Sequence, residues 1–465
     1  MLKTRNPIVT VLGHVDHGKT TLLDAIRKTN VANREAGGIT QGIGASKVNT
    51  KQGEVVFIDT PGHAAFSEMR QRGAKIADIA LLVVASDDGV KPQTQEALSY
   101  IKESKTPFMV VFTKTDLPTS NIEKSLGELE ALGVFFEGRG GDTPYISVSA
   151  KRQEGIEDLL ELINLFAQVN EIKGDPDGEL EGVVIETRKD KRGLLVFGVI
   201  RNGTLRRGDD IESGGIQARV RGLFDEGNKA VERAGPSDPV AIMGFSVSPS
   251  VGSEIKKDDL IGEREKNVDN LSGNVVAKAK EEQIAVVIKA SSAGCLEAVL
   301  GSLPEDVIVI RADVGEINDA DIFFAKAAGA MIFTFDVKLG SLVKKLAETE
   351  GVKIESFEII YELIKRLAEI VDSKKKKILG KGEVLQVFPY ENKKVAGIKV
   401  KEGKIALGDT VKILEGGKQI GVAKIISMRK QKVEVKVVSA GEECGLIFVP
   451  QLDFDRGDVI VSLGS

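Results

Sequence analysis

One stretch constrains this chain more than any other: Gly13-His14-Val15-Asp16-His17-Gly18-Lys19-Thr20, which fits the pattern G-x-x-x-x-G-K-[ST]. It follows an apolar run at 8–12 and precedes a helical pattern at 21–28, so it predicts a strand, a glycine-rich turn and a helix N-terminus in succession. Apolar runs at 55–58, 79–85, 108–112 and 145–148 read as further buried strands. Between them, 94–102, 121–132 and 156–168 carry helical spacing. Such alternation predicts a mainly parallel sheet with helices on both faces.

The loop residues carry a specific chemistry. Gly13 and Gly18 let backbone N–H groups turn inward around phosphate oxygens, with His14, Val15, Asp16 and His17 between them. Lys19 is placed to reach the β- and γ-phosphates and Thr20 to give its hydroxyl to Mg²⁺, with Thr21 next in the helix. Asp59-Thr60-Pro61-Gly62 closes the strand 55–58, where a carboxylate can hold a metal-bound water and a glycine N–H can face the γ-phosphate. Thr113-Lys114-Thr115-Asp116 closes the strand 108–112; the two oxygens of Asp116 suit the adjacent N–H donors of guanine, which adenine lacks. Ser149-Ala150-Lys151 follows the last strand and can close over the base. Four such pieces, each at the C-terminal end of a strand, point to a guanine nucleotide.

The rest of the 465 residues favours several domains. A Gly-Asp-Pro-Asp-Gly linker at 174–178 ends the first, and short β-rich runs at 182–186 and 194–200 suggest an antiparallel barrel. Strand-like runs at 284–288, 307–310 and 331–335, with helices near 295–300 and 320–328, indicate a small α/β/α domain. A helix is expected from 357 to about 376, with Ile360, Leu363, Ile364, Leu367 and Val371 on one face. A second β-rich segment follows. The expected architecture is multidomain: a P-loop α/β domain (1–174), a β-barrel (175–265), a connector and small α/β domain (266–356), a linking helix (357–377) and a C-terminal β-barrel (378–465). The heptapeptide Gly203-Thr204-Leu205-Arg206-Arg207-Gly208-Asp209 is echoed by Gly403-Lys404-Ile405-Ala406-Leu407-Gly408-Asp409, so two barrels of one kind are expected.

Composition excludes several alternatives. Two cysteines, Cys295 and Cys444, rule out a disulfide framework or a multi-cysteine zinc site. No tryptophan and 5% aromatics argue against an aromatic platform for single strands. No run approaches the ~20 apolar residues of a membrane span and no signal peptide stands at the start, so a soluble cytoplasmic protein without membrane contact is expected. The net charge of −5 conceals a basic end: 374–465 carries +7 and the remainder −12, which suggests local contact with a polyanion.

At this point the chain resembles the translational GTPases, and among them the bacterial initiation-factor branch. The resemblance rests on Gly13 to Thr21, Gly37-Gly38-Ile39-Thr40-Gln41, Asp59-Thr60-Pro61-Gly62-His63-Ala64-Ala65-Phe66, and Asp87-Asp88-Gly89-Val90 followed by Pro92-Gln93-Thr94. It extends over nearly the whole chain. It implies binding of GTP and GDP with Mg²⁺, ribosome-stimulated GTP hydrolysis, delivery of formylmethionyl initiator tRNA, and action on both ribosomal subunits by a factor monomeric off the ribosome. Thr40 resembles the switch threonine on Mg²⁺, His63 the histidine that positions attacking water, and Val15 with Ile39 the apolar pair flanking it. Glu443-Cys444-Gly445, with the basic pair Arg429 and Lys430, resembles the pocket for the formylmethionyl end.

The chain also departs from the family. Thr113 stands where asparagine is usual, Gly42 replaces a histidine, and Gln431 and Ile398 replace an aromatic and a cysteine near the pocket. The long N-terminal extension of many members does not precede Gly13, which implies a compact lineage or a shortened chain. The alternatives are another translational GTPase of elongation or recycling type, or a GTP-sensing scaffold with little turnover.

Overall fold

The computed structural model describes residues 2–29, 42, 44–258, 283–376, 379–390, 393–431 and 433–463. The chain divides into two compact units: one of residues 1–275, 286–303 and 309–363, the other of 276–285, 304–308 and 364–465.

In the first unit a six-stranded sheet runs in the order Gly44–Thr50, Gly53–Asp59, Ile8–Gly13, Ile79–Ala85, Phe108–Thr113, Tyr145–Ser147. All its pairings are parallel except Gly44–Thr50 against Gly53–Asp59. The helices between its strands are α1 (Lys19–Arg27), α2 (Ser67–Ile76), α3 (Pro92–Ser104), α4 (Ile122–Ala131) and α5 (Ile156–Val169). Alternate strand residues feed two cores. Val9, Leu81, Val83 and Val111 pack with Leu22, Leu23, Leu159 and Ile163 of α1 and α5. Leu82, Val84, Val110 and Phe112 pack with Leu98, Ile101, Leu126 and Leu129 of α3 and α4. Strands buried on both faces read as unbroken apolar runs, which is why the sequence displays them so clearly. The edge strand Gly44–Thr50 and the polar-looking α2 do not, and both escape the periodicity reading.

An antiparallel sheet follows, in the order Ile216–Arg219, Asp210–Ser213, Glu254–Lys257, Glu181–Asp190, Gly193–Asn202, Pro239–Met243, Gly222–Phe224, Ala230–Val231. It wraps a core of Val184, Val196, Ile200, Leu205, Ile211 and Ile242. This barrel is tied to the nucleotide domain. Arg5 donates to both oxygens of Asp78 at 2.7 Å and to Ser237 at 3.3 Å, and Lys47 Nζ donates to Asp238 at 2.5 Å.

The small α/β layer holds strands Val307–Val314, Ile284–Ala290, Met331–Phe335 and Ile354–Phe357 in that order, with α6 (Ala293–Gly301), α7 (Asp319–Ala328) and α8 (Ser341–Glu350). The last strand and α8 leave no clear mark in the sequence pattern. The linking helix α9 spans Ile360–Lys376, which corrects the expected start at 357. Phe357 ends the strand, its ring stacked 6.2 Å from Phe333, and strand pairing keeps it out of the helix. Ile360, Leu363, Leu367 and Val371 form the buried face of α9, as their spacing predicts. The connector at 266–282 lies outside the described residues.

In the second unit, Gly380–Tyr390, Val459–Ser462, Thr410–Glu415, Lys418–Lys430, Glu443–Val449 and Lys393–Ala406 pair in sequence, and Lys393–Ala406 pairs back onto Gly380–Tyr390. The barrel closes. Its core holds Val384, Ile398, Val400, Ile405, Val411, Ile413, Ile425, Leu446 and Phe448.

Candidate nucleotide site

In the sheet Ile8–Gly13 lies between Gly53–Asp59 and Ile79–Ala85, from which the chain builds outward in opposite directions, so its C-terminal end opens at a topological switch point. The loop at 13–18 leaves the sheet there. Gly13 adopts φ 147°, and a Cβ on it would stand 2.3 Å from the Val83 carbonyl oxygen. Gly18 adopts φ 83° and caps α1, whose first N–H groups therefore point into the loop.

Lys19 is only 7% exposed and donates to the His14 carbonyl at 2.5 Å. Burial pulls its pKa down to about 8, against the raising influence of Asp59. A cation buried in this way is suited to an anion, and a phosphate in the loop supplies one. Gly62 comes close on the other side: a Cβ there would lie 2.4 Å from Lys19 Nζ and 3.1 Å from the Val15 nitrogen. Asp59 is buried at the end of Gly53–Asp59, and the Thr60 hydroxyl donates to the Val11 carbonyl at 2.8 Å. Pro61 is buried beside them. Thr20 follows Lys19 in the first turn of α1.

The Thr113 departure has a structural answer. Its hydroxyl donates to the His17 carbonyl at 2.6 Å, bracing the phosphate loop where an amide is usual. Asp116 accepts from the Ser149 hydroxyl at 2.8 Å, and that bond holds its carboxyl below the ordinary aspartate range. The Arg152 N–H donates to the Ser149 hydroxyl at 3.1 Å, so the loop of Ser149, Ala150 and Lys151 curls toward the Asp116 carboxylate. Lys114 sits in the left-handed region and its Nζ lies 3.9 Å from Asp87.

His14 and His17 serve the loop. Their rings meet edge to face at 5.0 Å, and burial pushes His17 down to about 4. His63 precedes the short helical turn Ala64–Phe66, and burial, then the charge of Lys19, lowers its pKa. Its carbonyl accepts from the Phe66 N–H at 3.0 Å and from Arg70. Arg70 is fully buried in α2, also donates to the Pro61 carbonyl at 3.3 Å, and is held by Glu96 at 2.8 Å. Gln93 accepts from the Val15 N–H at 3.0 Å. The Arg70 clamp leaves no mark in the sequence pattern, because a buried arginine cannot be told there from one that points to solvent. Gly37 to Gln41, with Ile39 and Thr40, lie outside the described residues.

The residues assigned to the tRNA-end pocket lie on two adjacent strands of the second barrel, Lys418–Lys430 and Glu443–Val449. Arg429 stands opposite Gly445 in register, and Cys444 opposite Ile398. Cys444 and Ile398 face the barrel core. Glu443–Val449 is flanked by a strand on each side, so much of the 443–445 backbone is engaged in the sheet. Arg429 and Lys430 meet Glu434 at 3.3 Å and Glu442 at 2.6 Å, so their positive field is locally offset.

Among the described residues no helix is long and apolar enough to cross a membrane. Residues 4–169 match the model of the elongation factor Tu GTP binding domain, 179–258 that of elongation factor G domain 2, and 257–368 that of translation-initiation factor 2. Over 99% of its length the chain is 41% identical to translation initiation factor IF-2 of Caldanaerobacter subterraneus, covering 69% of that protein. It is 40% identical to that of Hyphomonas neptunium, covering 58%, and 38% identical to that of Thermotoga petrophila, covering 71%. It spans about half the length of several others. A solved structure of GDP-bound aIF5B from Aeropyrum pernix is 29% identical over the whole chain and 92% of that protein, at a TM-score of 0.47.

Proposed function

The chain belongs to the translation initiation factor IF-2 family of translational GTPases, and from that premise we propose that it is a GTP-driven factor placing formylmethionyl initiator tRNA on the small ribosomal subunit and promoting subunit joining. The observation that carries the reading is the convergence of Lys19, Asp59, Gly62 and the Asp116–Ser149 pair on the C-terminal edge of one sheet, beside His63. In this reading 1–174 binds nucleotide, 175–265 is a barrel, 266–356 a connector and small α/β domain, α9 a linking helix, and 378–465 the domain that holds the tRNA end. We place the factor in the cytoplasm, monomeric off the ribosome.

The site fits a guanine nucleotide with Mg²⁺. The loop N–H groups and Lys19 hold the phosphates, and Asp116 accepts from the guanine edge. The Thr20 hydroxyl, with Thr40 as the family resemblance implies, would hold the metal, and Asp59 would hold a water on it. Bound there, Mg²⁺ neutralises charge on the phosphates. The Gly62 N–H faces the γ-phosphate, and His63 orients the attacking water once the ribosome frees it. Intrinsic turnover is slow without ribosomal activation, because His63 Nε2 rests shielded from solvent.

The test has two arms. His63→Ala is expected to bind GTP normally and to lose ribosome-stimulated hydrolysis; full stimulated turnover would remove His63 from catalysis. The unmutated chain is expected to slow deacylation of formylmethionyl-tRNA more than of methionyl-tRNA; equal protection would favour an elongation-type factor.

A further inference from the structure

His63 is restrained at two points. Arg70 and the Phe66 N–H fix its carbonyl, so its backbone is set. Its ring meets the ring of Tyr361, the second residue of α9, at 5.2 Å between centroids and 73° between planes. That is the edge-to-face geometry aromatic pairs favour. The His63 Nε2 atom is shielded from water and has no hydrogen-bond partner among the described residues. Among the described residues no hydrogen bond to Nε2 holds the imidazole where it is, whereas the Tyr361 ring packs against it. Tyr361 is itself 48% exposed and lines one side of a cavity of about 1540 Å³ with Ala64, Ala65 and Met69. Its ring has room to leave.

Resting on the reading of His63 given above, we infer that Tyr361 is a positioning residue that holds the His63 imidazole in a resting orientation, and that withdrawal of its ring frees the imidazole for the attacking water. The tyrosine does not touch the reacting atoms. It acts through His63, by biasing one ring orientation over another. The hydroxyl plays no part in the ring contact, so phenylalanine should replace tyrosine and alanine should not.

The experiment uses the full chain. Single-turnover GTP hydrolysis without ribosomes is measured for Tyr361→Ala, Tyr361→Phe, His63→Ala and the Tyr361→Ala/His63→Ala double variant, alongside the Kd for GTP. Tyr361→Ala is expected to raise the rate about two- to tenfold, the factor that losing one aromatic pair's attraction gives. The Kd should stay within about twofold. Tyr361→Phe should match the unmutated chain, and the rise should vanish in the His63→Ala background. The ring-current shift of the His63 Cε1–H proton should persist in the phenylalanine variant and disappear in the alanine variant. An unchanged or lowered rate for Tyr361→Ala, a rise that survives loss of His63, or a proton shift insensitive to Tyr361 would each overturn the inference. If His63→Ala keeps stimulated hydrolysis, the reading of His63 falls and this inference with it. If His63→Ala loses stimulated hydrolysis while Tyr361→Ala changes nothing, only the inference falls.

Discussion

Gly203 at φ 73° and Gly403 at φ 68° begin the same turn in the two barrels, and in each a Cβ would strike a carbonyl oxygen, of Glu179 at 2.7 Å or Leu379 at 2.2 Å. Two residues on, Leu205 and Ile405 are fully buried. The turn then closes through a carboxylate: Asp209 accepts from the Arg206 N–H at 2.9 Å, and Asp409 from the Ala406 N–H at 2.8 Å. Their outer surfaces diverge. The first barrel spends its surface on the unit it belongs to. Its Glu186 is buried and accepts from the Ser292 hydroxyl at 2.7 Å and the Gly294 N–H at 3.1 Å, at the start of α6. The second barrel leaves Ile420, Val422, Ile426, Val433 and Val437 exposed on its own surface. One turn chemistry specifies both folds, and the functions differ in what each outer face is free to meet.

The sharpest way to separate the barrels from the nucleotide domain is acid. All three histidines lie at 14, 17 and 63, so neither barrel contains one. His17 has a folded pKa of about 4 against 6.5 when unfolded, because burial disfavours its charged form. Between those values the unfolded chain binds the extra proton, so stability falls as pH drops from 6.5 and the loss is complete near pH 4. The loss amounts to about 3 kcal/mol. Urea unfolding from pH 7 to 4, followed by separate probes in the nucleotide domain and the C-terminal barrel, should show this slope in the first only, and His17→Gln should flatten it. An equal slope in the barrel would contradict the assignment.

The shared turn can be broken in each barrel by the same change. Asp409 is 4% exposed and also accepts from the Ser462 hydroxyl at 2.6 Å, whereas the side chain of Asp209 is 19% exposed and lies 3.6 Å from Lys257. Asp409→Ala orphans two donors in the interior and should cost about 2–3 kcal/mol, and Asp209→Ala about 1 kcal/mol. Equilibrium unfolding of the two variants, read by a probe in each barrel, checks the order; equal losses would mean that burial does not distinguish the turns.

The echo that makes this comparison possible was legible because a left-handed glycine and a turn-closing aspartate are local requirements, met by residue type alone. The same holds for the phosphate loop and for Asp116, whose roles follow from chain spacing at strand ends. Arg70, Glu186 and Tyr361 were not legible. Each matters through a partner far away in sequence, Glu186 through Ser292 and Tyr361 through His63, and nothing local marks a buried carboxylate or a half-exposed tyrosine. The edge strand Gly44–Thr50 was missed for a related reason: with one partner strand and few apolar residues it carries little periodic signal. Cys444 shows the converse case: a family motif marks its position, whereas only the fold shows that its side chain packs in the barrel core.

The smallest expected change in stability tests the largest claim about the second barrel. Gly445 has no left-handed φ, and a Cβ there would meet Val395 Cγ1 at 3.4 Å and the Arg429 carbonyl at 3.9 Å, ordinary contact distances. Gly445→Leu should therefore change stability by no more than about 0.5 kcal/mol. It nevertheless places a branched side chain between Val395 and Arg429, on the strand face where the tRNA end is proposed to lie. Preferential protection of formylmethionyl-tRNA over methionyl-tRNA should then be lost while GTP hydrolysis stays intact. A change of comparable size on the exposed surface of the first barrel, Lys229→Leu, should leave both untouched. If Gly445→Leu keeps full discrimination, the formylmethionyl end is read elsewhere on the barrel. The exposed stripe of Ile420, Val422 and Ile426 would then be the surface to substitute next, since it is apolar, outward-facing and absent from the docked face of the first barrel.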